Sequence, residues 1–233
     1  MNFKLKTSEF DHFSELASEW WLENGKFKIL HQIQHIRIKY IQDVIHKKKL
    51  HKIKILDLGC GGGIVSEGLS KLGANVTGID ASEKNIKIAE AHAKKNNLNI
   101  QYLNKSPEEL NNSNKFDVIL NLEIVEHVED VNLYFESCVG LLKKNGLMFT
   151  ATINRTFSSY IKAIIGAEYV LRWLPIGTHD WNKFLKPKEI ENKITKLNLS
   201  IKDVKGLVFN PLSRKWKTSN DVSVNYVVVA TKS

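Results

Sequence analysis

A parallel, doubly wound α/β sheet is the fold class this sequence predicts, and three observations predict it. Short apolar runs alternate with amphipathic helical runs through the middle of the chain, as strands joined by helical crossovers do. The first such strand, Ile53-Lys54-Ile55-Leu56, runs into Asp57-Leu58-Gly59-Cys60-Gly61-Gly62-Gly63, and a second, Val76–Ile79, ends in Asp80. Near the C-terminus the alternation breaks. There Ser200–Asn210 and Ser223–Ala230 follow one another as strands, which places an antiparallel hairpin on the parallel sheet.

Each element has its own signal. From Thr7 to Trp21 apolar residues recur at three and four positions (Phe10, Phe13, Leu16, Ala17, Trp20), and Ile29–Ile45 repeats that period, so two helices precede the sheet as an N-terminal cap over residues 1–50. After the glycine loop, Ile64–Leu72 reads as a helix stopped by Gly73. Ser82 is placed to cap the helix Ser82–Asn96. Strands follow at Ile100–Leu103, Phe116–Asn121 and Leu147–Ile153, with a helix from Glu129 to Leu142 before the last. Pro187–Leu197 is the closing helix. That makes seven strands, mostly parallel and Rossmann-like. Residues 154–186 form an insertion where folds of this kind place a lid.

Composition bounds the class. The chain has 233 residues, 42% of them hydrophobic, with four prolines and no low-complexity tract, which suits a single domain over residues 1–233 with a large core. No apolar run reaches the roughly 18 residues of a spanning helix, and the N-terminus lacks the pattern of a signal peptide, so a cytosolic protein is expected. Cys60 and Cys138 have neither disulfide nor metal spacing. The net charge of +9 invites an anionic partner, either nucleic acid or an acidic membrane surface. An AT-rich coding bias toward Lys, Asn and Ile explains the same charge without any partner. No aromatic-interleaved basic strand or zinc-finger spacing speaks for nucleic acid, and none is expected.

The loop carries the chemistry. A strand that turns sharply into a helix beside a ligand wants glycine, because a Cβ obstructs the turn, the approach, or both. Asp80, closing the second strand 21 positions after Gly59, is placed to accept hydrogen bonds from both hydroxyls of a ribose. A dinucleotide fingerprint reads G-x-G-x-x-G, whereas this loop reads Gly59-x-Gly61-Gly62-Gly63 and is preceded by Asp57. A carboxylate there repels a pyrophosphate but suits the ammonium of an amino-acid tail. S-adenosylmethionine fits better than NAD, and the seven-stranded sheet with its terminal hairpin is the arrangement of class I methyltransferases.

With those pieces in place, the chain resembles the ubiquinone biosynthesis O-methyltransferases nearly end to end. The resemblance is carried by Trp20-Trp21, Leu30-His31 and Arg37, by Leu56–Gly63 and Val76–Asp80, and by Glu123-Ile124-Val125-Glu126-His127-Val128. It continues through Asn154-Arg155, Gly166-Ala167-Glu168-Tyr169, Gly177-Thr178-His179-Asp180-Trp181, Asn210-Pro211 and Val224-Asn225-Tyr226. Leu22 stands where the family carries an acid, and Gln34-His35 replace its Asn-Pro. The resemblance implies methyl transfer to a phenolic or catecholic oxygen of a polyprenylated precursor, at two steps of the pathway, alongside that pathway's other enzymes. It implies Arg37, Gly59, Asp80 and Leu122 as cofactor contacts, to which the loop reading adds Asp57 and Gly61. It further implies a divalent cation, Mg2+ as the expected ion, on Glu123, Glu126 and His127.

Read as residues, Glu123, Glu126 and His127 follow the fourth strand at the carboxyl edge, where open α/β sheets bind ligands. If they open a helix, the i, i+3 and i+4 spacing puts all three on one face, a ligand set for a hard cation. Capping and dipole complementation explain the same acids, and His127, with Glu126, as a direct catalytic base is the alternative role. Residues 154–186 are apolar and aromatic, with Arg155, Lys162 and Arg172 interspersed. A buried cap explains this. So does a membrane-seeking element that would hold the protein peripherally against anionic lipid near a polyprenyl tail. His179 and Asp180 could reach substrate from that lid, and Trp20 and Trp21 read as packing or as cofactor stacking. A soluble catechol acceptor, and a methyltransferase-like binding module without chemistry, are the competing functions.

Overall fold

The computed structural model describes residues 19–25, 27–46, 49–159, 181–210, 213 and 215–233. One sheet of eight strands runs through it: β1 (Lys54–Leu58), β2 (Asn75–Ile79), β3 (Gln101–Leu103), β4 (Phe116–Leu122), β5 (Leu142–Ile153), β6 (Leu199–Asn210), β7 (Lys215–Ser219) and β8 (Asn225–Lys232). Their spatial order is β3-β2-β1-β4-β5-β8-β6-β7. The first five pair in parallel, while β8 inserts antiparallel between β5 and β6. The expected terminal hairpin is therefore present with one addition: β7 pairs antiparallel with β6 and makes eight strands of the expected seven. Its sequence, Lys-Trp-Lys-Thr-Ser, carries two lysines among five residues and exposes three of the five, which suits a sheet edge and hides it from an apolar search.

The described helices are α1 (Lys28–Ile45), α2 (Ile64–Lys71), α3 (Glu83–Lys95), α4 (Val131–Leu141) and α5 (Pro187–Thr195), with a helical turn at Phe157–Ser159. The caps are local chemistry. Ser82 accepts the Asn85 amide at the start of α3, and Asp130 accepts those of Asn132 and Leu133 at the start of α4. Helix α2 ends before Gly73, whose φ of +91° suits glycine alone. Of the expected first helix, residues 7–18 lie outside the described residues, and Glu19–Trp21 form a turn.

Alternation along the strands divides the core in two. Val118, Leu120, Phe149 and Ala151 face α1 and α2, with Ile33, Tyr40, Ile41 and Leu69. Leu58, Ile119 and Met148 face the other side, with Tyr134, Phe135, Cys138, Ile190 and Ile194 of α4 and α5. Each fully buried side chain of this size stabilises the fold by about 1.5–3 kcal/mol. The consequence for function is directional: all five parallel strands end at one edge, and Asp57, Asp80 and Glu123 sit there.

Candidate active site

The glycine loop turns as its sequence demands. Gly59, Gly61 and Gly63 have φ of +59°, +53° and +85°, conformations that cost any side chain strain. What approaches them differs from expectation: a Cβ at Gly59 would lie 2.5 Å from Ile124 Cδ1, one at Gly61 2.4 Å from Trp20 Cη2, and one at Gly63 2.3 Å from the Tyr102 hydroxyl. Protein side chains, beyond any ligand, therefore require these glycines. Trp20 lies on Gly61 and Gly62, stacks on Phe27 with ring centroids 3.8 Å apart, and is buried. Trp21 donates its indole N–H to Gly62 O and stacks on His92, whose Nδ1 lies 2.6 Å from the buried Glu67. Both tryptophans pack.

Asp80 is held at the edge of β2 by the loop it faces. Its Oδ2 accepts the Gly61 amide at 2.9 Å, and its Oδ1 accepts the Ser82 amide at 2.8 Å and Asn85 Nδ2 at 3.2 Å. Burial pushes its carboxyl up, and these three donors work against that shift. Asp57, at the end of β1, accepts the Ser66 hydroxyl at 2.6 Å; burial pushes it up to about 6, while Ser66 and the Arg37 guanidinium draw it back. Thus Arg37, Asp57 and Asp80 share one electrostatic neighbourhood. Sequence reasoning missed Asn85 and Ser66. Each sits in the first turn of the helix following an acid, so helix-start position was the available signal.

Glu123 sits just past β4 with φ of +56°, a rare conformation for a side-chain-bearing residue. Its Oε1 accepts from Arg37 Nη2, while Arg37, on α1 and buried, keeps Nε without a partner. Residues 123–127 form a turn, and α4 starts only at Val131. No helix opens at Glu123, Glu126 and His127, so the condition for their sharing one helical face is not met. Among the described residues no three His, Cys, Asp or Glu side chains converge as an ion requires, so the expected Mg2+ set does not fit. The physical reasons are the positive φ at Glu123 and its engagement by Arg37.

Glu126 is buried, and desolvation first and Glu123 second push it up to about 7, against the stabilising charge of His127. Its Oε2 has no hydrogen-bond partner. Leu122 is half-buried at the end of β4. Arg155 does not present a free charge, because its guanidinium pairs with Glu189 at 2.5 Å. Lys162, Arg172, His179 and Asp180 lie outside the described residues.

A model described as a methyltransferase domain matches residues 56–150, the span from β1 to β5. The chain is 53% identical to the ubiquinone biosynthesis O-methyltransferase of Pelagibacter ubique (strain HTCC1062), over 98% of this chain and 99% of that one. It is 48% identical to the protein of the same name from Bartonella tribocorum, over 97% and 96%. Among solved structures, magnesium protoporphyrin IX methyltransferase from Synechocystis PCC 6803 with bound SAH superposes with a TM-score of 0.71 at 18% identity, over 97% of this chain and 99% of that one. That likeness shows the fold.

Proposed function

The chain belongs to the ubiquinone biosynthesis O-methyltransferase family and is an S-adenosylmethionine-dependent O-methyltransferase, and from that premise we propose how its residues divide the work. When bound, S-adenosylmethionine supplies a methyl on a sulfonium whose leaving group departs neutral. No general acid is needed; alignment and a deprotonated acceptor oxygen are.

Asp80 takes the ribose hydroxyls, its orientation fixed by Gly61, Ser82 and Asn85. Asp57 takes the ammonium of the amino-acid tail, and Arg37, whose buried Nε lacks a partner, takes the tail's carboxylate. Gly59 and Gly61 bring the backbone close, and Leu122 gives an apolar contact at the end of β4. Glu126 and His127 stand where an acceptor hydroxyl must lose its proton, and they act as the base pair. A cation set on Glu123, Glu126 and His127 does not fit the described geometry, so activation is assigned to the side chains. The single observation that carries this reading is the gathering of Arg37, Asp57 and Asp80 around the glycine loop. The acceptor is a polyprenylated phenol or catechol at both methylation steps, in one domain spanning residues 1–233.

Product analysis with labelled S-adenosylmethionine and short-chain phenol and catechol precursors tests the assignment. Methylated oxygen is expected, with Glu126→Gln and His127→Ala losing turnover while keeping cofactor affinity. Full activity in both variants would remove the base assignment, and loss of turnover on chelation alone would return it to a cation.

We also propose peripheral attachment to anionic membrane. What supports it is the net charge of +9, the apolar sequence of residues 160–180, and Phe157, 77% exposed at the start of that segment. No described helix is long and apolar enough to cross a membrane. Co-sedimentation with vesicles rich in anionic lipid, weak on neutral ones and reduced by salt, is expected. Loss of binding when Ile164, Ile165 and Trp173 become Ser would support insertion. Indifference to anionic vesicles by a protein that methylates a short-tailed acceptor would reduce the segment to a lid.

A further inference from the structure

Three buried oxygens at the carboxyl edge of the sheet lack any hydrogen-bond partner: Glu126 Oε2, Thr152 Oγ1 and Asn154 Oδ1. Their residues are 5%, 0% and 6% exposed, so water does not satisfy them from outside. Buried polar atoms without partners are rare and ask for an explanation. Neighbouring groups do not supply one. Thr152 Oγ1 lies beside Glu126 and, as a donor directed at the carboxylate, favours its ionised form, but the two do not meet at the geometry of a full hydrogen bond. Tyr226, the residue opposite Thr152 in the ladder, donates its hydroxyl to Leu185 O at 2.6 Å. The Asn154 amide is fixed by Nδ2 donating to Val222 O at 2.8 Å, which leaves its Oδ1 the free end.

Thr152 and Asn154 stand two positions apart where β5 ends, and the Asn154 amide continues the ladder by donating to Val224 O. At that spacing side chains share a face. Met148, four positions before Thr152, buries with Val125 and Val128, the neighbours of Glu126, so this face is the one Glu126 occupies. The chemistry of the trio is lopsided. A carboxylate and an amide oxygen only accept, and Thr152 alone can donate. A ligand that satisfies them brings two donors on adjacent atoms, and two neighbouring aromatic hydroxyls do that.

We propose that Thr152 and Asn154 are positioning residues for the acceptor: they hold the hydroxyl next to the one being methylated, so that the reacting oxygen falls on the Glu126 side. This rests on the O-methyltransferase reading above and adds a reason for an acceptor with two adjacent hydroxyls. Neither residue is asked to move a proton.

Steady-state kinetics on the full chain test it with two short-chain acceptors, a catechol and the same ring lacking the second hydroxyl. For the wild type, KM should be about tenfold lower for the catechol, the equivalent of one buried hydrogen bond. Thr152→Val, which keeps the shape and removes the hydroxyl, should raise KM for the catechol about tenfold and leave the monophenol within about twofold. Cofactor affinity by calorimetry should not move, and Thr152→Ser should restore the catechol KM. A Thr152→Val effect that is equal on both acceptors, or absent from both, overturns the proposal; the trio then holds ordered water or serves packing. If that variant does not fold, the wild type decides, because equal KM for the two acceptors overturns it as well. A wild type that binds S-adenosylmethionine but methylates neither acceptor overturns the underlying reading, and this proposal with it.

Discussion

Trp20 and Asn85, 65 positions apart in sequence, are joined by a hydrogen bond of 2.9 Å from the indole N–H to the amide oxygen. Asn85 passes the connection on, since its Nδ2 donates to Asp80 Oδ1. An aromatic from the N-terminal cap thus reaches Asp80 through one side chain. Asn85→Ala leaves the Trp20 indole N–H unpaired in a buried place and frees one side of Asp80. We expect a stability loss of about 1–3 kcal/mol by thermal or denaturant unfolding and cofactor binding weakened several-fold. Unchanged cofactor affinity would show that Gly61 and Ser82 suffice to orient Asp80.

Asp80 itself should matter more. Each charge-assisted hydrogen bond to a ribose hydroxyl is worth about 1.5–3 kcal/mol before compensation. Asp80→Ala should weaken S-adenosylmethionine at least tenfold by calorimetry. Tighter binding of NAD than of S-adenosylmethionine by the parent protein would overturn the cofactor assignment.

Arg37 has one carboxylate partner in the structure and a second in the proposed function. In the structure it pairs with Glu123, and with cofactor bound it would hold the amino-acid tail. Competition of that kind has a sign that can be read. Arg37→Ala should weaken S-adenosylmethionine about tenfold, the loss of a buried charge-assisted contact, whereas Glu123→Gln should leave affinity unchanged or raise it. Equal weakening by both variants would mean that the pair works as one structural unit.

The pH dependence of cofactor binding follows from Asp57. Charged and titratable groups near it are Arg37 on α1, Asp80 after β2, Cys60 in the loop and Tyr102 on β3. Burial raises its carboxyl from 3.8 to about 6, so the fold favours the neutral form. The stability this contributes is complete below 3.8 and disappears as pH rises through about 6. Cofactor ammonium wants the opposite, the ionised form. Affinity measured by calorimetry should therefore fall as pH drops through about 6, and Asp57→Asn should flatten that profile. An unchanged profile in Asp57→Asn would place the ammonium elsewhere.

Gly61→Ala puts a Cβ 2.4 Å from Trp20 and forces a side chain onto a φ of +53°. Backbone strain alone costs about 1–2 kcal/mol. The indole must also shift, so Trp20 fluorescence should change and cofactor affinity fall together. If Gly61→Ala costs only the backbone strain, the contact with Trp20 is soft.

How much of this was legible in the sequence follows from what each part depends on. The glycine loop, Asp80, the Ser82 cap and the alternation of helix and strand depend on a few neighbouring residues, whose dihedral preferences and periodicity are written locally. The terminal antiparallel pair was legible for the same reason, while β7 was not, because an exposed lysine-rich edge strand carries no apolar period. Whether residues 123–127 open a helix was left open by the sequence: their acids suit a helix start, but Glu123 has a positive φ that local propensity does not favour and pairs with Arg37, 86 positions away. The tertiary structure alone decided that pair, the contact of Trp20 with Gly61, and the nearness of Thr152 to Glu126. Those depend on which strand ends lie side by side, and a chain fixes that only when burial of both sheet faces selects one register for all of them.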